Sequence, residues 1–262
     1  MPCSHHVVAK VILVQQSGSN LFTLRLEAPA IARAVTPGQF VMLGPLDPQS
    51  MDPFLCRPLS VYGASARGYV DLLIAVAGRG TRLISGWTSG TSVELTGPLG
   101  HGFQVPQRVR RILLVGGGVG VAPLVFLANS QLDKGRECIL FYGAESSEML
   151  VDLKKLESKG CKVRLTTDDG SKGHHGLVTD LLIQQLQESD LNDTLVASCG
   201  PWPMLEEVYR LCSVNGIEVQ VSLENRMACG TGACMGCSML IAGKPQRVCK
   251  QGPVFSGGEV FE

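Results

Sequence analysis

Four cysteines within 21 residues, Cys229, Cys234, Cys237 and Cys249, restrict this 262-residue chain more than any other feature. Their spacing is C-x4-C-x2-C-x11-C, and the surrounding segment, residues 223–262, reads as short irregular pieces with no sustained helical or strand period. A piece of that size buries too little apolar surface to hold itself together, so its fold must be organised by what the thiols bind. The run CGTGACMGC places Gly230, Gly232 and Gly236 among the first three cysteines. Freedom at positive φ and close approach of backbone N–H groups to sulfur then let a short loop wrap two irons. The spacing is that of a [2Fe–2S] site with all four cysteines as ligands. Structural zinc is the competing reading, but it usually shows two CxxC pairs, and here only Cys234 and Cys237 form one.

A disulfide scaffold is the other use of dense cysteines, and it belongs to short secreted chains. No uninterrupted apolar run precedes Lys10, so a cytoplasmic protein is expected, with Cys3, Cys56, Cys138, Cys161 and Cys212 as ordinary reduced thiols. Lys+Arg and Asp+Glu each number 23, which leaves no long-range field for nucleic acid or an anionic membrane. The uncharged stretch Ile112–Leu132 contains Gly116, Gly117, Gly118, Gly120 and Pro123, and reads as a buried strand, a glycine loop and a helix rather than a membrane span.

Before residue 100 the pattern is of short strands between turn residues: Val7–Val14, Leu21–Glu27, Phe40–Leu43, Leu59–Tyr62, Tyr69–Val76 and Ser92–Leu95, with proline-rich loops at 28–38 and 44–56 and a helix at Thr81–Trp87. This reads as an antiparallel β-barrel. After Gly97-Pro98-Leu99-Gly100, strands alternate with helical stretches, the grammar of a doubly wound parallel α/β sheet. Strands are expected at Arg111–Val115, Cys138–Tyr142, Lys162–Thr166, Thr194–Ser198 and Glu218–Ser222, and helices at Ala122–Leu132, Ser147–Lys159, Leu177–Gln187 and Met204–Asn215. In the last segment, Ser238–Ala242 and Gln246–Val248 flank a turn at Gly243-Lys244-Pro245. The expected units are 1–102, 108–222 and 223–262.

Several fragments carry binding chemistry. Gly116-Gly117-Gly118-Val-Gly120-Val-Ala-Pro123 lies between an apolar strand and a helix, where backbone amides can approach a pyrophosphate, although glycines there also serve packing alone. Arg57-Pro58-Leu59-Ser60 opens a strand, and Gly78-Arg79-Gly80-Thr81 opens a short helix. An Arg facing a helix N-terminus clamps a diphosphate, and a Ser beside a ring system can hydrogen-bond a flavin nitrogen. The plain alternative is that Arg57 pairs with a surface carboxylate. Cys199-Gly200-Pro201 ends a strand at the carboxyl edge of the sheet, where open α/β folds bind ligands.

Taken in order, RPLS, GRGT, GGGVGVAP and CGP resemble the ferredoxin-NADP reductase superfamily of FAD-containing oxidoreductases. The run SLENRMACGTGACMGC, closed by QRVCKQGPVF, resembles more specifically the electron-transfer subunit of NAD-dependent (class 1B) dihydroorotate dehydrogenases. The resemblance spans essentially the whole chain. It implies FAD on the barrel, held by Arg57, Pro58, Leu59 and Ser60, by the backbone of Ile74, Ala75 and Val76, and by Gly80 and Thr81 at its pyrophosphate. It implies NAD phosphates at Gly116, Gly117, Gly118 and Gly120 with Cys199 near the nicotinamide, and a cluster facing a separate FMN-bearing catalytic subunit in a heterotetramer of two subunits of each kind.

Electron counting explains the set. A nicotinamide trades a hydride, a [2Fe–2S] cluster carries one electron, and a flavin does both, so no acid–base dyad is required in this chain. Leu59 departs from the superfamily, in which many members stack a Tyr on the flavin. After the second α/β strand, Gly143-Ala-Glu-Ser-Ser-Glu148 offers no cation for a 2′-phosphate and two carboxylates that would repel one, which favours NAD over NADP. The rival functions are a related reductase subunit serving a sulfide dehydrogenase, a hydrogenase or a ferredoxin, and a non-catalytic iron–sulfur sensor. His5, His6, His101, His174 and His175 read as incidental or loop residues, and Asp168 and Asp169, beside Gly170, as turn formers.

Overall fold

A computed structural model describes residues 4–46, 52–188 and 191–262; Cys3 and part of the expected 44–56 loop lie outside the described residues. The first hundred residues form a closed antiparallel barrel from β1 (His5–Gln16), β2 (Leu21–Glu27), β3 (Phe40–Leu43), β4 (Arg57–Ala64), β5 (Tyr69–Ala75) and β6 (Ser92–Leu99), in the spatial order β1-β2-β5-β4-β3-β6. β6 closes on β1, so the barrel leaves no free edge. Leu24, Leu26, Leu43, Leu72 and Leu95 fill its interior and are fully buried. The stretch expected as a 28–38 loop contains a helix, α1 (Pro29–Ala34), because Pro29 fixes the φ that a first helical turn needs. The short helix α2 (Arg79–Ser85) begins two residues earlier than expected.

The α/β part runs β7 (Arg111–Gly117), a 3-10 turn at Gly118–Gly120, α3 (Val121–Leu132), β8 (Glu137–Ala144), α4 (Lys154–Glu157), β9 (Lys162–Thr167), β10 (His174–His175), α5 (Val178–Glu188), β11 (Thr194–Cys199), α6 (Trp202–Ser213) and β12 (Glu218–Ser222). The sheet order is β10-β9-β8-β7-β11-β12-β15, where β15 (Val254–Ser256) follows the cysteine segment and pairs antiparallel with β12. The order reverses between β7 and β11. β7 therefore has its crossover helices on opposite faces on its two sides, and the strand ends splay apart there into a crevice.

Two further expected elements come out differently. The helix at Ser147–Lys159 is a 3-10 turn at Ser147–Met149, an extended strap and the single turn α4. The strap buries Leu150, Val151 and Leu153 against the sheet and the barrel. The 3-10 turn before it also reaches the barrel, where the Ser19 N–H donates to the Glu148 carbonyl at 2.8 Å. The turn expected at Gly243-Lys244-Pro245 is instead the two residues Ala242 and Gly243, both at positive φ, joining β13 (Ser238–Ile241) to β14 (Lys244–Arg247). Left-handed geometry at both central positions is what a two-residue hairpin needs, and Pro245 is accommodated in a two-stranded ribbon with a free edge.

The cysteine segment is tied into both larger parts. The His101 N–H at the end of the barrel donates to the Gly252 carbonyl at 2.6 Å, and β15 extends the sheet. The segment ends in α7 (Gly257–Phe261), whose Phe261 ring stands edge-on to Trp202 of α6 at 5.1 Å. Phe255, 5% exposed, lies in β15 with its ring over Gly252. Phe255→Ala is expected to cost about 3–5 kcal/mol, read as a lower urea midpoint and faster loss of iron to a chelator; an unchanged midpoint would contradict this anchoring.

Candidate cofactor sites

The crevice at the β7–β11 reversal is a cavity of about 590 Å³. Its floor is glycine because two backbone segments meet there. A Cβ on Gly120 would lie 2.5 Å from the Cys199 carbonyl oxygen, and one on Gly117 would lie 2.8 Å from Pro201 Cδ. Gly117, Gly118 and Gly120 line the cavity, whereas Gly116 is buried beneath it. Cys199 is 1% exposed, and the wall at that point is Gly200. Burial pushes the Cys199 thiol up, the nearby Glu224 charge adds to this, and a hydrogen bond with Ser222 opposes it, so the group is a neutral thiol. The charged side chains lining the cavity are Glu145, Asp168, Glu207 and Glu224, all acidic. Glu207 is paired with Arg210 at 2.6 Å, but no basic side chain among the described residues lines the cavity itself, so the lining disfavours a 2′-phosphate.

The barrel residues sort by strand register. Leu43 stands opposite Arg57, Met42 opposite Pro58, Val41 opposite Leu59 and Phe40 opposite Ser60. Because opposed residues share a face, Pro58 and Ser60 point outward with Met42 and Phe40, while Leu59 packs on the barrel core. Arg57 reaches the start of α2: a Cβ on Gly80 would lie 2.6 Å from its Nε, and its Nη1 donates to the Leu55 carbonyl at 2.5 Å. Arg57, Gly80 and Thr81 are thus brought together. The Thr81 hydroxyl oxygen accepts from the N–H groups of Ala77 at 3.0 Å and Gly78 at 3.2 Å, which fixes that turn. Ile74 is buried in the barrel and Ala75 is half-buried at the end of β5, while the Val76 N–H is already engaged with the Asn20 carbonyl at 2.8 Å.

The four C-terminal cysteines come together as two pairs, one thiol to thiol and one joined through a backbone N–H. Cys237 Sγ and Cys249 Sγ are 3.1 Å apart and buried, and the Cys234 N–H donates to Cys229 Sγ at 3.4 Å. For Cys229, burial works against ionisation, yet hydrogen bonds from Cys234 and Thr231 outweigh it and bring the thiol down to about 6. Cys249 is pushed up to about 12, first by burial and then by Cys237. Among the described residues no three His, Cys, Asp or Glu side chains are gathered on one metal ion. Two pairs of thiols suit two irons, each taking two thiolates, better than one tetrahedral zinc. Gly230 and Gly232 in this loop have φ of 69° and 86°, as expected, whereas Gly236 does not take a positive φ and the neighbouring Met235 does, at 61°.

A model of the iron-sulfur cluster binding domain of dihydroorotate dehydrogenase B matches residues 224–261, and an oxidoreductase NAD-binding domain matches residues 114–210. The chain is 37% identical over 227 residues to the dihydroorotate dehydrogenase B (NAD(+)) electron transfer subunit of Clostridium acetobutylicum, covering 87% of each chain. It is 34% identical over 257 residues to that of Desulforamulus reducens, covering 96% of this chain and 97% of the relative. The chain belongs to the family of dihydroorotate dehydrogenase B electron transfer subunits.

Among solved structures, an NADH-dependent reduced ferredoxin-NADP oxidoreductase superposes with a TM-score of 0.86 at 26% identity, over 97% of this chain and 90% of that one. A ferredoxin NADP+ reductase from Neisseria gonorrhoeae, solved with FAD and NADP, shares the fold at a TM-score of 0.66 and 18% identity, over 84% of this chain and 94% of its own. The iron–sulfur family model contains all four paired cysteines. No helix among the described residues is long and apolar enough to cross a membrane.

The sequence carries no signal that places Asp168, Glu207 or Glu224 at the cavity. Asp168, expected as a turn former, faces the cavity, whereas its neighbour Asp169 holds the turn by accepting from the Ser171 N–H at 2.9 Å. Glu224 opens onto the cavity at the end of β12, and the surrounding protein raises its carboxyl above the ordinary range by desolvation. A raised carboxyl favours the fold while it is protonated, and that contribution is lost as pH rises through the folded value. Glu224→Gln is therefore expected to raise the melting temperature at neutral pH, with the gain shrinking as pH falls through the ordinary carboxylate range. A gain that does not change with pH would contradict this.

Proposed function

We propose that this chain is the electron-transfer subunit of a dihydroorotate dehydrogenase, carrying electrons from the FMN of a catalytic partner subunit through [2Fe–2S] and FAD to NAD+ as dihydroorotate becomes orotate in pyrimidine biosynthesis. The observation that carries this is the placing of three sites on one framework: paired thiols, the outward face of β4 beside α2, and the glycine-floored crevice. Membership in a family whose members are named electron transfer subunits of dihydroorotate dehydrogenase B supports a catalytic partner subunit and this substrate. When bound, FAD exchanges a hydride with nicotinamide and single electrons with the cluster.

The residues divide the work. Arg57, Gly80 and Thr81 hold the FAD diphosphate, Pro58 and Ser60 present the outer face of β4 to its ring, Leu59 supports that strand from within, and the ends of β5 at Ile74, Ala75 and Val76 border it. Gly117, Gly118 and Gly120, backed by Gly116, leave room for the NAD diphosphate at the start of α3, and the Cys199 thiol supports the wall at the nicotinamide end. The acidic lining selects NAD over NADP. Cys229, Cys234, Cys237 and Cys249 ligate the cluster. On this reading residues 1–102 form the FAD unit, 108–222 the NAD unit and 223–262 the cluster unit, in a cytoplasmic heterotetramer of two subunits of each kind.

Anaerobic co-purification with the FMN-bearing partner should yield a complex that reduces NAD+ with dihydroorotate. A complex that holds FAD, FMN and cluster yet does not oxidise dihydroorotate would overturn the substrate and favour the reductase alternatives. Cys234→Ser is expected to abolish the visible absorption of the cluster and dihydroorotate-linked turnover, while NADH-dependent reduction of an artificial two-electron acceptor persists. Full loss of that reduction in a folded, FAD-loaded variant would contradict the division of work.

A further inference from the structure

The cysteine loop touches the barrel one strand away from the segment read above as holding FAD. Along β3, Val41 and Leu43 point into the barrel core, while Phe40 and Met42 point outward into the core that also contains Cys237 and Cys249. Met42 stands directly opposite Pro58 of β4, on the outer face that Pro58 and Ser60 share. From the other side Gly230, the residue after the first cysteine, sits on Met42. A Cβ there would overlap Met42 Cγ and lie 2.7 Å from its Sδ and 3.3 Å from Leu99 Cδ1. Gly230 also needs its φ of 69°, so the loop approaches Met42 as closely as a chain can. Met42 is 4% exposed, and its flexible, polarizable side chain packs against the loop from the strand that pairs with β4.

We infer that Met42 is a positioning residue for electron transfer between the cluster and the flavin: its side chain sets the distance at which the cysteine loop meets the outer face of β4. The inference rests on the proposed function. The step it governs moves one electron between the two centres, with no bond made or broken and no proton exchanged at Met42. NADH, losing a hydride to become NAD+, supplies the electrons in the test, and that hydride step uses the crevice on the far side of the relay.

The test uses the full chain purified anaerobically with its FAD and cluster, as the native protein and as Met42→Ala and Met42→Leu. After mixing with NADH, flavin reduction is followed by absorbance and arrival of the electron at the cluster by freeze-quenched electron paramagnetic resonance. In Met42→Ala the iron content, the spectrum of the reduced cluster and the rate of flavin reduction are expected to match the native protein, while cluster reduction slows by roughly tenfold or more, since small misplacements of reacting centres are costly. Met42→Leu, close in volume, is expected to restore the native rate. A native rate in Met42→Ala, or a Met42→Leu as slow as Met42→Ala, overturns the inference. Should Met42→Ala lose iron, Met42→Val is measured in the same way, and iron loss in both overturns it, because Met42 would then only hold the loop. A native protein without flavin or cluster fails the proposed function itself, and this inference with it.

Discussion

The three residues of β15 are the fixture on which the arrangement depends. Their pairing with β12 makes the cysteine segment an edge of the same sheet that forms the crevice, and the adjoining Gly252 carbonyl is held by the backbone of His101 at the end of the barrel. A segment of some forty residues has too small a core to keep a fixed position alone, and electron transfer requires one. Grafting the segment onto a large sheet solves this with few residues. It also explains the backbone crowding at the graft, where a Cβ on Gly100 would lie 2.6 Å from the Gly252 oxygen and one on Gly252 would overlap the ring of Phe255.

Glycine permits close approach at three further places. Gly120 lets the turn after β7 lie against the end of β11, Gly80 lets Arg57 cover the start of α2, and Gly230 lets the cysteine loop rest on Met42. At Gly120 a methyl group would meet backbone and push the two elements apart, whereas at Gly80 and Gly230 it would displace the side chains of Arg57 and Met42. The electrostatics divide in a similar way. The crevice is lined by carboxylates and suits a dinucleotide without a 2′-phosphate, whereas the guanidinium of Arg57 stands at the strand read as the flavin site.

Much of this was legible in the sequence because it is written in local signals. Cysteine spacing, a glycine run between an apolar strand and a helix, and alternating strands and helices each report on a few neighbouring residues, and the barrel, the parallel sheet and the paired thiols follow them. What was illegible depends on contacts distant in sequence. Residues 150–153 look helical in isolation and are extended because they cross between sheet and barrel. Val254–Ser256 carries no signal for joining a sheet whose previous strand ended more than thirty residues earlier. Glu224 and Asp168 look like ordinary loop carboxylates until β12 and β9 bring them to one cavity. The outward direction of Met42 was implicit in the alternation along β3, but its meaning required knowing what packs on that face.

The central claim is that one chain joins hydride chemistry to single-electron chemistry, and the most direct measurement is an anaerobic titration of the purified chain with NADH. Absorbance would report the flavin, and electron paramagnetic resonance would report the cluster. The account predicts that NADH bleaches the flavin band and also brings up the signal of a reduced [2Fe–2S] centre in the same molecules. A chain that binds zinc in place of iron, or one whose flavin is reduced while its intact cluster stays oxidised, would contradict it.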